Sequence, residues 1–277
     1  MRLSAAVLVF LGGLSGPADG GGSCAEIERD LWQELSQLFL VMEPEGSRRS
    51  ISDRAAEAGA GRCRDSETLA YIRVRVTELG TQAPLARAGD RQAHVQLARA
   101  LALAFPRSAR IATVRARAGG TVEDARRAVG LDPSYRPAQV ALASALLNAG
   151  DAAAADSVMR GVSGLGGLKA LASLEDGFSI LARIRWARGD VAGAIDAANR
   201  QLTGRDLLGV EPGTGDRDAI VAAHEVLALA YLKRGQPLRA APHLIEAEPG
   251  SPRVQEIIQQ AGPELQQAIA RARRGAK

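Results

Sequence analysis

A glycine followed by a polar or second small residue recurs along this chain, and this recurrence constrains its fold most. The positions that share the pattern are Gly89-Asp90, Gly119-Gly120, Gly150-Asp151, Gly189-Asp190 and Gly235-Gln236. Glycine tolerates the positive φ that a tight turn between two helices needs. The segments between these positions are rich in Ala and Leu, which are among the strongest helix formers. Because recurrence at roughly 20–50 residues is typical of solenoids, the pattern predicts a stack of helical pairs.

The composition of the chain also favours helices over strands. Aromatic residues make up 3% of the 277 residues, whereas Ala, Leu and Arg dominate. A strand-rich fold would need more Val, Ile, Tyr and Phe. The net charge of +4 is a mild excess that indicates a solvated, Arg-rich surface. The basic cluster at 271–277 has no interleaved aromatic residue on which bases could stack, so nucleic-acid binding is not predicted.

One stretch carries the repeat pattern most completely. It runs Leu131-Asp132-Pro133-Ser134-Tyr135-Arg136-Pro137-Ala138 and continues with Leu142-Ala143, Leu146, Gly150-Asp151 and Ala155. This stretch resembles the tetratricopeptide repeat (TPR) family, a helix–turn–helix unit of about 34 residues with small residues where the helices cross. Two further copies carry the same marks, namely Leu181-Ala182, Gly189-Asp190 and Ala194, and then Leu227-Ala228, Tyr231, Gly235, Ala240, Ala247 and Pro252.

The resemblance implies an all-α fold, a helix–turn–helix repeat solenoid with a TPR-like right-handed superhelix. The predicted organisation is a signal peptide at 1–20, an N-terminal helical region at 21–88, TPR-like repeats at 89–251 and a C-terminal capping helix with a basic tail at 252–277. The turn glycines depart from the family spacing, because Gly150 to Gly189 is 39 residues and Gly189 to Gly235 is 46. We assign the excess to loops at 161–167 and 203–218, so an irregular superhelix is expected.

The first twenty residues have the layout of a secretory signal peptide. Arg2 gives a positive start, residues 3–14 form an apolar run, and Pro17 and Ala18 lie in a short segment of small and helix-breaking residues. The run is shorter than the roughly 20 residues that span a bilayer, and no later segment is long and apolar enough. We therefore expect an exported protein, periplasmic or extracellular, without a transmembrane span.

Export gives the two cysteines, Cys24 and Cys63, a specific meaning. An even pair in an oxidising compartment predicts one disulfide. Two alternatives stay open at this point: a lipid anchor on Cys24, and free thiols. Bacterial lipoproteins usually carry Leu three places before the acylated cysteine, whereas this chain has Gly21 there.

Catalytic and metal-binding patterns are sparse in the sequence. The three histidines, His94, His224 and His243, do not pair at metal-ligand spacing on one helix face. The Gly-rich segment at 161–169 lacks the Gly-Lys-Ser/Thr end of a phosphate-binding loop. No catalytic residue, metal site or cofactor is predicted, and an enzyme is not expected.

In the TPR family, the first helix of each repeat lines a concave groove that binds other proteins. The groove positions that this resemblance implies are Ser144 and Asn148 in one repeat, Ser179, Arg183 and Trp186 in the next, and Glu225 and Lys233 in the third. Trp and Arg are enriched in binding hot spots. Packing of Trp186 between repeats is the alternative for that residue.

The predicted function is a non-catalytic protein–protein interaction scaffold or adaptor of the cell envelope, with other proteins or peptide segments as partners. The alternatives are an envelope-assembly lipoprotein anchored through Cys24 and, further off, a protein or enzyme that binds cell-wall polymer.

Overall fold

A computed structural model describes residues 23–38, 45–61, 63–81, 88–164, 176–203 and 217–275. The predicted signal peptide lies outside these ranges, and so do most of the predicted loop at 203–218 and part of the one at 161–167. Within the described ranges the regular structure is helical, in fourteen helices: α1 (Cys24–Leu38), α2 (Glu45–Ala60), α3 (Glu67–Thr81), α4 (Ala88–Ala104), α5 (Ala109–Arg117), α6 (Val122–Leu131), α7 (Arg136–Asn148), α8 (Ala152–Gly164), α9 (Gly177–Ala187), α10 (Val191–Thr203), α11 (Arg217–Lys233), α12 (Pro237–Ala247), α13 (Pro252–Gln259) and α14 (Pro263–Gly275).

The helices pack as successive pairs in two layers. The first helices of neighbouring pairs contact each other in the order α3, α5, α7, α9, α11. Each second helix contacts its own first helix and the first helix of the following pair, as α6 does with α5 and α7. Stacking of this kind buries the apolar side that a single helical pair would leave exposed. The predicted all-α helix–turn–helix repeat solenoid is therefore confirmed.

Glycines form the turns inside four of these pairs. Gly119, Gly150, Gly189 and Gly235 have φ of 88°, 87°, 79° and 67°. After the last three of these glycines, the next residue donates its N–H to the carbonyl five residues back at 2.9 Å, as Asp151 does to Leu146. This bond closes the preceding helix in a Schellman arrangement. Gly89 was predicted to form a turn as well, but it lies in the first turn of the helix α4 and has no positive φ.

Alanines occupy the crossings between helices, as the repeat pattern predicts. The crossing residues that are 0% exposed are Ala143, Ala155, Ala182, Ala194, Ala228, Ala240 and Ala247. Larger apolar side chains, such as Met159, Ile184 and Leu227, fill the space beside them. Because protein interiors are close-packed, each crossing leaves little room for a larger residue.

Three serines at helix N-termini connect one pair to the pair before it. Ser66, Ser108 and Ser251 each accept a hydrogen bond from a backbone N–H of the helix that they precede, at 3.0–3.2 Å. The same hydroxyls donate to glutamates on the first helix of the preceding pair: Ser66 to Glu28 at 2.6 Å, Ser108 to Glu67 at 2.7 Å and Ser251 to Glu225 at 2.7 Å. Each serine therefore caps its own helix and joins two pairs with a charge-assisted hydrogen bond.

The two cysteines meet at the N-terminal end of the stack. Their sulfur atoms are 2.09 Å apart, a disulfide distance, and the bond ties the start of α1 to the segment between α2 and α3. Cys63 is buried in an apolar cluster that includes Leu31 and Ile72. Among the residues that the structure describes, no helix is long and apolar enough to cross a membrane.

The C-terminal segment differs from its prediction in one respect. One capping helix was expected in the segment 252–277, but the chain forms two helices there, α13 and α14. The break falls at Gly262-Pro263. Proline disfavours helical backbone at the residue before it and lacks the N–H of an interior helical position, so α14 begins at Pro263. Upstream, α8 continues through Gly161 to Gly164, so this part of the predicted loop is helical. The division of the chain at residues 21, 89 and 252 remains a prediction.

Candidate partner-binding cavity

A cavity of about 680 Å³ lies on the layer of first helices. Residues of the first helices α3, α5, α7, α9 and α11 line it, together with residues of the second helix α4 and of the segment 118–122. Much of the wall consists of small residues, among them Ala116, Ala141, Ala145 and Ala222. Short side chains on successive first helices leave this space open. Its volume falls within the roughly 300–1,000 Å³ that ligand sites occupy.

Four of the seven predicted groove residues line this cavity: Ser144, Asn148, Ser179 and Arg183. An Arg183 guanidinium nitrogen donates to Oδ1 of Asn148 at 2.8 Å, which joins α7 to α9. Ser179 is only 2% exposed, and its hydroxyl donates to the carbonyl of Asp176 at 2.9 Å. Ser179 therefore shapes the wall, whereas Arg183 presents charge to the cavity.

The other three predicted residues lie outside the cavity. Trp186 is half-buried against the central apolar cluster, the group of buried side chains that includes Ala143, Met159 and Leu227. The Lys233 ammonium lies 5.4 Å from the centroid of the Trp186 ring. This is a cation–π distance. Glu225 accepts the hydrogen bond from Ser251 and lies 3.7 Å from the Arg253 guanidinium, so it joins α11 to α13. The structure therefore brings Trp186 and Lys233 together as a separate pair.

A buried ion network crosses the floor of the cavity. Glu78 is 7% exposed and is hydrogen-bonded to Arg75, one turn earlier on α3. Arg117 Nε lies 3.5 Å from Glu78, and another Arg117 nitrogen lies 3.7 Å from Asp176 at the start of α9. Burial raises the pKa of the Glu78 carboxyl, but Arg117 and Arg75 outweigh burial, and the net pKa is lowered. Glu78 is therefore ionised at neutral pH and neutralises part of the arginine charge.

His94 lines the same cavity from α4. It is 5% exposed, and its Nδ1 lies 3.2 Å from the Thr77 hydroxyl. Burial lowers the pKa of His94, and although Glu78 opposes this effect, the net pKa remains below its ordinary value. The imidazole is therefore neutral at neutral pH and acts as a polar, uncharged part of the wall.

Two further arginines face the cavity without a carboxylate partner among the described residues. The Arg183 guanidinium has the neutral amide of Asn148 as its contact, and Arg91 is an exposed residue on α4 with no ion pair in the described part of the chain. A guanidinium carries five N–H donors, so a single hydrogen bond leaves most of the Arg183 donors available. Arg91 and Arg183 are therefore the two lining arginines that make no direct carboxylate contact among the described residues.

The sequence prediction missed most of the cavity floor, although a signal for Arg117 was present. Asn148 stands two residues before Gly150, and Lys233 two residues before Gly235. Arg117 occupies the same position before Gly119. Applying the same spacing to the helical pair around Gly119, which matches the repeat pattern less well, identifies Arg117. Glu78 and His94 have no such signal, because the sequence between their two helices, at 82–87, contains no glycine.

Two histidines that the sequence leaves far apart meet between α11 and α12. The Nδ1 atoms of His224 and His243 are 2.9 Å apart, and the His243 ring stacks on Tyr231 with centroids 5.8 Å apart. Spacing along one helix could not reveal this pair, because each helix contributes one histidine. Among the described residues, no group of three or more His, Cys, Asp or Glu side chains could hold a metal ion.

Comparison with known proteins gives a weak structural likeness. No family model matches the chain. No curated protein matches it either. Among solved structures, a chain of the crystal structure of the APC/C hetero-tetramer Cut9-Hcn1 is similar, with 14% sequence identity and a TM-score of 0.24. The match covers 84% of this chain and 63% of that chain, so this protein spans less than two thirds of its length. A likeness this weak carries no argument, and the fold class rests on the helices themselves.

Proposed function

We propose that this protein is a non-catalytic scaffold that holds another protein through the cavity on its layer of first helices. The observation that carries the proposal is the cavity itself, which draws its wall from five consecutive first helices, α3 to α11, and holds Ser144, Asn148, Ser179 and Arg183. A surface built from several stacked units can follow an extended partner segment, which is how repeat proteins use their concave faces. The TPR-like pattern of the sequence supports the same function.

The proposed place of action is the cell envelope, in the periplasm or outside the cell. The predicted signal peptide motivates this proposal. The disulfide between Cys24 and Cys63 is compatible with it, because disulfides persist in oxidising compartments.

The disulfide also bears on the lipoprotein alternative. A sulfur that is bonded to Cys63 cannot carry a thioether-linked lipid, so the pairing weighs against anchoring through Cys24. Intact mass spectrometry of the exported protein separates the two: a disulfide lowers the mass by two hydrogens, whereas a lipid raises it by the mass of its chains. Detection of a lipid on Cys24 would make the anchored alternative the correct one.

Affinity capture of the full chain from its own envelope fraction, followed by mass spectrometry, tests the scaffold. Wild type is compared with Arg183→Glu, which reverses one charge in the cavity, and with Arg99→Glu. Arg99 is an exposed residue of α4 that does not line the cavity, which makes it a matched control. We expect a partner that is retained by Arg99→Glu and lost in Arg183→Glu. A partner that survives Arg183→Glu unchanged would place binding elsewhere, and the absence of any reproducible partner would contradict the scaffold.

A further inference from the structure

The charges of the cavity are unevenly distributed. Arg117 lies between the carboxylates of Glu78 and Asp176, so the floor of the cavity is close to neutral. Arg91 on α4 and Arg183 on α9 have no carboxylate partner among the described residues. These two guanidinium groups belong to helices on opposite sides of α5 and α7, so the cavity has a positive side chain towards each end and small residues between them.

We propose that the occupant of this cavity is an acidic peptide segment, with two carboxylates that engage Arg91 and Arg183 and small or apolar residues between them. The proposal rests on the proposed scaffold function and names the chemistry of its partner. Guanidinium groups match carboxylates in a bidentate geometry and keep their charge at any physiological pH. Charge complementarity of this kind sets which partners bind and in which register.

The uncharged part of the cavity wall suits small or apolar residues of a ligand. Ala141, Ala145 and Ile180 line it, and these side chains suit an apolar stretch of peptide. The acidic groups Glu78, Asp176 and Asp218 also line the cavity, so with Arg91, Arg117 and Arg183 the lining holds three acidic and three basic side chains. A ligand with negative charge along its whole length would meet the three acidic groups. Among the described residues that line the cavity there is no Trp, Tyr or Phe on which a base could stack. Spaced carboxylates therefore fit this wall better than a continuous polyanion does.

A random short-peptide library displayed on phage, selected against the immobilised full chain, provides the probe. We expect the enriched sequences to share two acidic residues separated by small or apolar ones. Selection against the double variant Arg91→Gln and Arg183→Gln should lose this enrichment. Enrichment of neutral or basic sequences would overturn the acidic-segment inference while leaving a peptide-binding scaffold in place. No enrichment at all would also overturn the inference, and the capture experiment would then decide separately whether the scaffold function stands.

Fluorescence anisotropy of one enriched peptide and its Glu→Gln counterpart then measures the contribution of each charge. Because each charge-assisted hydrogen bond is strong, Arg183→Gln and Arg91→Gln should each weaken binding of the acidic peptide by about tenfold. Neither variant should change binding of the Glu→Gln peptide, and Arg99→Gln should bind as wild type does. Circular dichroism of each variant checks that the helices are retained.

Vesicles of phosphatidylglycerol test whether a lipid surface competes for the same charges. We expect no displacement of the acidic peptide by these vesicles at physiological salt. Displacement that disappears in Arg183→Gln would mean that the cavity recognises an anionic headgroup, and it would overturn the peptide assignment.

Discussion

At the scale of single residues, the turn glycines carry a conformation that other residues adopt at a cost. Gly150 has a φ of 87°, and a Cβ built on it would meet nothing within 4 Å. Any penalty for Gly150→Ala therefore comes from the backbone alone. We expect this variant to lose about 1–3 kcal/mol of stability, the cost of a left-handed conformation without glycine. Urea unfolding monitored by circular dichroism measures the loss.

Gly130 provides the control for that substitution. It lies near the end of α6, is exposed, and would also meet nothing within 4 Å of an added Cβ. Because it has helical backbone, Gly130→Ala should raise stability by up to about 1 kcal/mol. Equal effects at the two glycines would mean that the turn conformation of Gly150 is wrong.

Alanine volume at the helix crossings is the second constraint at this scale. Ala143 is 0% exposed and packs in the central apolar cluster, whereas Ala153 on α8 is exposed. Ala143→Leu should cost about 1–3 kcal/mol because the crossing cannot accept the larger side chain without strain. Ala153→Leu should be close to neutral. Thermal unfolding compares the two variants, and a neutral Ala143→Leu would contradict the register of the repeat.

At the scale of elements, the contact between α11 and α12 contains a titrating pair. Burial lowers the pKa of His224, and burial together with His224 lowers the pKa of His243 to about 4, with Glu246 opposing that shift. A 2.9 Å contact between two Nδ1 atoms needs one N–H and one lone pair, so the two rings cannot both be protonated in the folded protein. Tyr231 stacks on His243 on one side, and Arg239 lies over the Tyr231 ring.

This pair should make the stability fall in acid. As the pH drops from the ordinary histidine value of 6.5 towards about 4, the unfolded chain takes up protons that the folded pair does not. The pair's contribution to the free energy of unfolding is therefore fully present above pH 6.5, and it is lost between pH 6.5 and about 4. Melting temperatures across this range should fall more steeply for wild type than for His243→Asn. All other groups are common to the two proteins, so parallel curves would show that the pair is not buried as described.

The turns and crossings could be predicted from the sequence because each is encoded within one helical pair. Gly150 and Ala143 can be identified by their residue type and by their distance along the chain from the other repeat positions. The cavity floor could not be predicted in this way, because Glu78, Arg117 and Asp176 are far apart in sequence and meet only when α3, α5 and α9 are stacked. The periodicity of a helix shows which face a charge lies on, but it does not show which charge of another unit it will meet.

At the scale of the whole molecule, the disulfide fastens one end of the stack. Each pair in a solenoid rests on its neighbours, and among the described residues α1 and α2 pack against α3 as their neighbouring pair. The bond closes a loop of 39 residues, and the chain-entropy relation gives about 4 kcal/mol of stabilisation at most. The double variant Cys24→Ser and Cys63→Ser should therefore fray first at α1.

Hydrogen exchange with mass spectrometry locates that effect. Backbone amides of α1 should exchange faster in the double serine variant, while those of α9 and α10 should change little. Adding a reductant should bring wild type to the level of the variant and leave the variant unchanged. Uniformly faster exchange along the whole chain would instead mean that the N-terminal pair is needed for the entire stack to fold.

The reach of Arg117 has a mechanical consequence. Arg117 contacts Glu78 in the pair before its own and Asp176 two pairs further on, so its second contact passes over α7 altogether. A stack in which each helical pair contacts only its neighbours can open by small rotations between every two successive pairs. A contact between α5 and α9 limits how far the interfaces of α7 with these two helices can open together. The ion pairs of Arg117 therefore limit the bending of the stack between α3 and α9. High salt weakens ion pairs, so it should make the centre of the stack more flexible before its ends.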